Sequence, residues 1–156
     1  MTDPLAGAEW EVLRWLGIDA ATCMLGDADA FSGEVKFGRA EAELIGRLAA
    51  CVIPGRALAA MNTGGDQDVP VEVLRKKGEI VAARLCMVTD VDETPGVWQA
   101  LGEVAMASGM AVAADPFCVP SEYYHLTFTV RPGIYVAEVF VAAEDDDALA
   151  LRIRLR

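Results

Sequence analysis

The sequence predicts an α+β fold: a largely antiparallel β-sheet, sandwich-like, with two or three flanking helices. Three observations lead there. Short apolar runs are separated by turn residues, among them Asn62-Thr63-Gly64-Gly65-Asp66, Lys76-Lys77-Gly78-Glu79 and Pro132-Gly133, and runs punctuated in this way read as strands. Several of the runs alternate apolar with polar residues, as half-buried strands do. Other stretches space their apolar residues at helical intervals behind capping residues. Antiparallel strands that bury one face under two or three helices accommodate this mixture, and a β-sandwich with peripheral helices is the alternative arrangement.

Taken in order, the first helix is expected over 4–16. Asp3 caps it, Pro4 fits its first position, and Gly17 ends it. Trp10, Leu13, Trp15 and Leu16 give it an apolar side. An apolar run over 21–25 stops at Gly26-Asp27. A second helix is expected over 39–50, with Leu44, Ile45, Leu48 and Ala49 as its inner face. Val52-Ile53-Pro54-Gly55 turns the chain into a strand over 56–61. Val69, Val71 and Val73 alternate with other residues in the next strand, and 80–88 is its returning partner.

Thr94-Pro95 combines a cap with a first-turn proline and predicts a third helix through Trp98, Leu101, Val104 and Ala105 to Gly109. Residues 110–114 form an apolar strand ended by Asp115-Pro116. Leu126, Phe128 and Val130 share one strand face. After Pro132-Gly133 comes a strand over 134–141, then the acidic loop Glu144-Asp145-Asp146-Asp147. The last strand alternates Leu149, Leu151, Ile153 and Leu155 with Ala148, Ala150, Arg152, Arg154 and Arg156. That gives one oily face and one partly basic face, and at a sheet edge the arginines would discourage unwanted pairing.

The two halves, 1–90 and 91–156, share an order of elements. A helix with Trp10 and Leu13, a strand and Asp27 match a helix with Trp98 and Leu101, a strand and Asp115. The interval from Trp10 to Trp98 equals that from Asp27 to Asp115. Internal duplication and convergence of simple strand and turn patterns both account for this.

The chain has 156 residues, which suits one domain spanning 1–156 and a core that needs neither disulfide nor metal. No apolar run approaches the roughly 20 residues of a membrane helix. The stretch Met1-Thr2-Asp3-Pro4 lacks the basic and apolar regions of a signal peptide, so a cytoplasmic location is expected. A formal charge of −11 disfavours nucleic acid and anionic membranes and suits a basic protein partner. Solubility alone also accounts for it.

Catalytic and metal-binding sets are sparse. Cys23, Cys51, Cys86 and Cys118 form no C-x-x-C pair and read as buried reduced thiols. His125 is the one histidine, on a strand face with Tyr123, Thr127 and Thr129, and reads as a surface residue. A Cys118–His125 nucleophile pair is disfavoured by the apolar Pro116-Phe117-Cys118-Val119-Pro120 setting. The carboxylates Asp27/Asp29, Asp66/Asp68, Asp90/Asp92/Glu93 and Glu144–Asp147 fall in expected turns and read as solvated. None matches a calcium loop, and no phosphate-binding glycine motif is present. No metal and no cofactor is expected. Acidic loops that converge on one end of a sheet would make a recognition surface, and Tyr123 and Tyr124 would supply anchors.

Three stretches resemble small bacterial inhibitor proteins. They are the Trp98 segment leading into Gly109-Met110-Ala111-Val112, then Leu126-x-Phe128-x-Val130-x-Pro132-Gly133-x-Tyr135, and then the acidic turn into the strand from Leu149 to Leu155. Together they are similar to ComJ-like competence nuclease inhibitors and to immunity proteins of polymorphic toxin systems. The resemblance lies mainly in the C-terminal half and implies stoichiometric inhibition without a cofactor. It transfers no site residues.

The sequence thus predicts a non-catalytic, immunity-type inhibitor that binds a basic toxin or nuclease. Its expected partner-binding residues are Asp66, Asp68, Tyr123, Tyr124, Asp145, Asp146 and Asp147. A small-ligand-binding module is the alternative, and a hydrolase using His125 or a carboxylate pair ranks third.

Overall fold

All the strand pairs run antiparallel, and they assemble two sheets packed face to face. The computed structural model describes residues 3–31, 37–118 and 121–156. In chain order the strands are β1 (Glu11–Ile18), β2 (Thr22–Asp27), β3 (Ala50–Val52), β4 (Leu58–Asn62), β5 (Gln67–Lys76) and β6 (Glu79–Cys86). They continue with β7 (Gly96–Met106), β8 (Met110–Ala114), β9 (His125–Thr129), β10 (Gly133–Ala142) and β11 (Ala148–Leu155). Among the described residues there is one α-helix, α1 (Arg39–Leu48), and 3-10 turns at Ala28–Phe31, Val91–Glu93 and Glu122–Tyr124. The six-stranded sheet has the order β1-β5-β6-β11-β10-β7, and the five-stranded sheet has the order β3-β4-β2-β8-β9. The predicted α+β class with largely antiparallel, sandwich-like sheets is what the chain forms.

Alternation along the strands builds the core. Leu16 and Ile18 of β1, Val69, Val71 and Val73 of β5, Leu85 of β6, Leu151 and Ile153 of β11 and Tyr135 of β10 meet Cys23, Leu25, Met61, Ala111 and Ala113 between the sheets. Each large side chain buried there contributes about 1.5–3 kcal/mol relative to exposure. Helix α1 lies on the outer face of the five-stranded sheet. Its Ile45 and Leu44 pack with Phe37, Met24 and Leu58, whereas Leu48 and Ala49, expected on the inner face, are exposed.

Two of the three expected helices are strands. Residues 4–16 hold a turn and most of β1, and 94–109 hold β7. The reason is the same in both. In β1 the register passes from Val12 opposite Glu72 to Arg14 opposite Val71, so Leu13 is an inserted bulge residue. In β7 it passes from Ala100 opposite Glu138 to Gly102 opposite Ala137, so Leu101 is the inserted residue. A bulge adds one residue to a two-residue period, so Trp10 to Leu13 and Trp98 to Leu101 acquire a spacing of three that imitates a helix. Gly102 takes the bulge's φ of +151°, which an L side chain rarely adopts.

The last strand is also not at an edge. β11 lies in the middle of the six-stranded sheet, and of its arginine face Arg152 is buried, Arg154 half-buried and Arg156, just past the strand, exposed. Across four neighbouring strands Glu72, Arg84, Arg152 and Glu138 stand opposite one another in register. Arg152 donates to Glu138 at 2.9 and 3.0 Å and to Asp3 at 2.9 and 3.0 Å, with its guanidinium 3.9 Å from the Trp98 ring centre. Arg84 donates to Asp92 at 2.7 and 2.9 Å, pairs with Glu72 at 3.4 Å, and lies 4.2 Å from the Trp10 ring centre. Two arginines side by side are tolerable because each has two carboxylates and an aromatic face.

The two halves therefore contribute equivalent parts. β1, β5 and β6 mirror β7, β10 and β11 across the Arg84–Arg152 pair, and β2 mirrors β8 in the other sheet. Asp27 and Asp115, each expected near the end of a strand, are both buried. Asp27 accepts the Ser108 N–H and hydroxyl, and Asp115 accepts the N–H groups of Asp19 and Ala20. The solvated-turn reading of Asp27 is thus corrected: its carboxylate satisfies the turn of the opposite half.

Candidate functional site

Register places four connections at one end of the six-stranded sheet. They follow Ile18, precede Gln67, join Cys86 to Gly96, and join Ala142 to Ala148. These connections carry Asp19, Asp66, Asp90, Asp92, Glu93 and Glu144–Asp147, with Asp68 just inside β5, and contain no lysine, arginine or histidine. The opposite end carries Arg75, Lys76, Lys77, Arg131 and Arg156, where Arg75 pairs with Glu11, Arg131 with Glu79 and Arg156 with Glu103. Charge is therefore segregated along the strand direction.

Within the acidic end the structure forms a cleft of about 240 Å³ lined by Ile18, Asp19, Asp66, Gln67, Asp68, Tyr123 and Tyr124. Four of the expected residues, Asp66, Asp68, Tyr123 and Tyr124, thus come together, although the tyrosines lie far along the chain from the aspartates. The two phenol rings meet edge to face, 5.0 Å between centres. The Tyr123 hydroxyl donates to Asp68 at 2.6 Å, and the Tyr124 hydroxyl donates to Asp19 at 3.4 Å.

Several local devices hold the tyrosines there. Ser121 caps the 3-10 turn that bears them, accepting the Tyr123 N–H. Arg14 of β1 donates to the carbonyls of Glu122 and His125 and ties that turn to the sheet edge. Gly17 leaves the space in which the Tyr123 ring lies, since a Cβ there would come within 2.2 Å of the ring. Buried Asp115 fixes the backbone of Asp19 and Ala20 and also accepts the Phe117 N–H, while its own N–H donates to the Tyr124 carbonyl. Sequence reasoning did not include Asp19, Arg14, Gly17 or Asp115 in the site. The matched intervals of Trp10/Trp98 and Asp27/Asp115 were the one signal that could have raised Asp115.

The charges around the cleft shift its phenols. The hydrogen bond to Asp68 and that carboxylate's charge raise Tyr123 above its ordinary value, and burial together with Asp19 raises Tyr124. Both are neutral donors at physiological pH. Asp145, Asp146 and Asp147 lie at the same end but on the β10–β11 hairpin. That is two to three strand spacings from β5, about 10–14 Å at the usual separation, so they join the same surface and not the cleft.

The other chemistry-bearing residues do not assemble a catalytic set. His125 Nδ1 lies 3.0 Å from the Ser121 carbonyl. Burial, a hydrogen bond to Asp115 and the Asp115 charge push the Cys118 thiol up to about 11, far from a reactive thiolate. Residues 119–120 of its segment, and residues 1–2 of the N-terminus, lie outside the described residues. Burial pushes Cys23 and Cys86 well above the ordinary thiol value. No cluster of three or more His, Cys, Asp or Glu suited to a metal ion occurs among the described residues, and no helix among them is long and apolar enough to cross a membrane.

The fold and site define a two-sheet antiparallel sandwich with one acidic, tyrosine-bearing end. Comparison with protein-family models, with curated proteins and with solved structures gives no match.

Proposed function

We propose that this chain is a non-catalytic binding protein that docks a basic protein on the acidic end of its six-stranded sheet, in the manner of an immunity-type inhibitor of a toxin or nuclease. The segregation of charge carries the reading. Connections from four places in the sequence bring carboxylates to one end and carry no cation of their own, and the aromatic cleft opens among them. Of these carboxylates Asp92 alone forms an ion pair among the described residues, with Arg84 of β6. Such a field steers a basic partner and raises its on-rate by a factor of about 10 to 1,000 at low salt. Exposed Tyr123 and half-buried Tyr124 then supply the short-range anchor. The resemblance to inhibitor proteins adds less, since one of its three stretches was read as a helix and is strand β7.

The test is association kinetics with a basic partner captured at low salt and released at high salt. Replacing Asp66, Asp68, Asp145, Asp146 and Asp147 together by Asn should slow association at least about tenfold at low ionic strength and flatten its salt dependence. Unchanged kinetics in that variant would remove the acidic end from the interface.

A further inference from the structure

We infer that the cleft between Tyr123, Tyr124 and the carboxylates of Asp19, Asp66 and Asp68 is a socket for an arginine side chain of the basic partner. This rests on the docking reading above and names the group that enters.

The molecule contains two worked cases of the same chemistry. Arg84 lies on Trp10 between Glu72 and Asp92, and Arg152 lies on Trp98 between Glu138 and Asp3. Each guanidinium is held by an aromatic face and two carboxylates. The cleft offers the same set, two aromatic rings and three carboxylates, with no arginine of its own. Among the described residues no lysine or arginine forms an ion pair with Asp19, Asp66 or Asp68, whereas Glu11, Glu79 and Glu103 at the opposite end are all paired.

Size and geometry agree. About 240 Å³ is several times the roughly 30 Å³ share of one liquid water, so the space suits a side chain better than a bare ion. The tyrosine hydroxyls each occupy one site on Asp68 and Asp19 and fix those carboxylates. An ionised carboxylate has about four acceptor sites, so most stay open to a planar five-donor guanidinium. A further aromatic side chain lies on the same strand face, outside the cleft lining. Trp15 projects from the same face of β1 as Gly17, two residues away, and Gly17 is where the Tyr123 ring lies. Trp15 and Tyr123 are each 56% exposed, a large aromatic area to leave in water beside a charged cleft. Tryptophan, tyrosine and arginine are the residues enriched in interface hot spots.

The probe is the peptide acetyl-Gly-Arg-Gly-amide, titrated into the intact ¹⁵N-labelled chain. The neutral citrulline analogue and the lysine analogue serve as controls. The expected result is saturable shifts at the amides of Gly17, Asp19, Asp66, Asp68, Tyr123 and Tyr124. The citrulline peptide should bind at least about tenfold more weakly and the lysine peptide should be weaker than arginine. Asp66→Asn, which keeps shape, and Tyr123→Ala should each remove the shifts while the rest of the spectrum shows an intact fold. Equal binding of arginine and citrulline peptides, equal binding of arginine and lysine, or shifts confined to residues 144–147 would each overturn the socket.

The partner separates the two levels of the proposal. If Tyr123→Ala leaves partner binding unchanged while Asp145→Asn/Asp146→Asn/Asp147→Asn slows it, the socket is wrong and acidic docking stands. If neither variant changes the kinetics, the docking reading has failed.

Discussion

Replacing Arg152 by Leu tests whether the charged row across the six-stranded sheet is held by pairing. Its side chain is 1% exposed and takes part in ion pairs with Glu138 and Asp3. Removing one member of a buried pair costs about 3–5 kcal/mol, because the remaining charge is stranded. Here the lower end applies. Glu138 keeps Arg154 at 2.9 Å, and Asp3, with a side chain 25% exposed, can turn to water. Losing the cation over Trp98 adds about 1 kcal/mol. The expected loss is therefore about 4 kcal/mol, or roughly 8–16 °C in Tm for a domain of this size. Urea unfolding followed by tryptophan fluorescence and circular dichroism measures it, with the midpoint falling and the slope unchanged. The decisive comparison is the double variant Arg152→Leu/Glu138→Leu. It removes buried Glu138 along with its buried partner, leaves Arg154, whose side chain is 25% exposed, to turn to water, and should recover part of the loss, since apolar replacement of a whole buried pair is often neutral. A single variant within about 1 kcal/mol of the parent, or a double variant no better than the single, would refute the reasoning.

Two other outcomes follow from the same geometry. Gly17→Ala should cost less than about 1 kcal/mol, because the atom met by its Cβ belongs to an exposed tyrosine that can swing away. It should nevertheless break the Tyr123–Asp68 hydrogen bond, so ultraviolet titration should show Tyr123 returning toward the ordinary phenol value; a loss above about 2 kcal/mol would mean that Tyr123 is a structural prop. Asp3 and Asp92 are held below their ordinary value of 3.8. For Asp3 burial opposes this and the Arg152 and Leu5 hydrogen bonds overcome it; for Asp92 the Arg84 hydrogen bond leads. Both are depressed in the folded state, so their stabilisation is complete above the unfolded value and is lost as pH falls below about 4 through the folded values. Urea midpoints between pH 6 and pH 3 should fall less steeply in Asp3→Asn than in the parent, and identical slopes would show that the clasp has no linkage to protons.

Legibility in the sequence tracked how local the signal was. The alternation of Val69, Val71 and Val73 and of Leu151 and Ile153 is read within one strand, and those side chains lie in the core. Helix α1 has Ile45 and Leu44 inward as its spacing implies. The bulges at Leu13 and Leu101 defeated the same kind of reading, because a register shift is defined by the partner strand and cannot be seen in one segment. Thr94-Pro95 misled in a similar way: it has the form of a helix start, but Gly96, Val97 and Trp98 follow it and the segment pairs with β10. The arginines of β11 looked like a solvent face because their covers, Asp3 and Trp98, come from other segments. In the candidate site the residue types were legible and their meeting was not. Tyr123 reaches Asp68 through a turn positioned by Arg14 and Gly17 of β1, far from it along the chain, and by Asp115.

The near-equivalence of the halves separates residues that hold the fold from residues free to recognise something. Trp10 and Trp98, Leu13 and Leu101, Arg84 and Arg152, Glu72 and Glu138, and Asp27 and Asp115 occupy matching places and do matching jobs: stacking, bulging, pairing and tying a turn. A task required twice by the architecture is a structural task. Function should then lie where matching places differ. At the acidic end, beside the β1–β2 turn, stand Tyr123, Tyr124, Asp66 and Asp68. Beside the matching β7–β8 turn at the other end is an opening lined by Ser108, Gly109, Thr129, Val130, Pro132 and Ile80, with Arg75 and Glu79 at its edge. Those two charged residues are already engaged by Glu11 and Arg131. At that end Glu11, Glu79 and Glu103 are paired already, and Lys76 and Lys77 would repel a basic partner. The other presents Asp19, Asp66 and Asp68 without a paired cation among the described residues, and the exposed ring of Tyr123, and it is the end where a basic partner gains the most by docking.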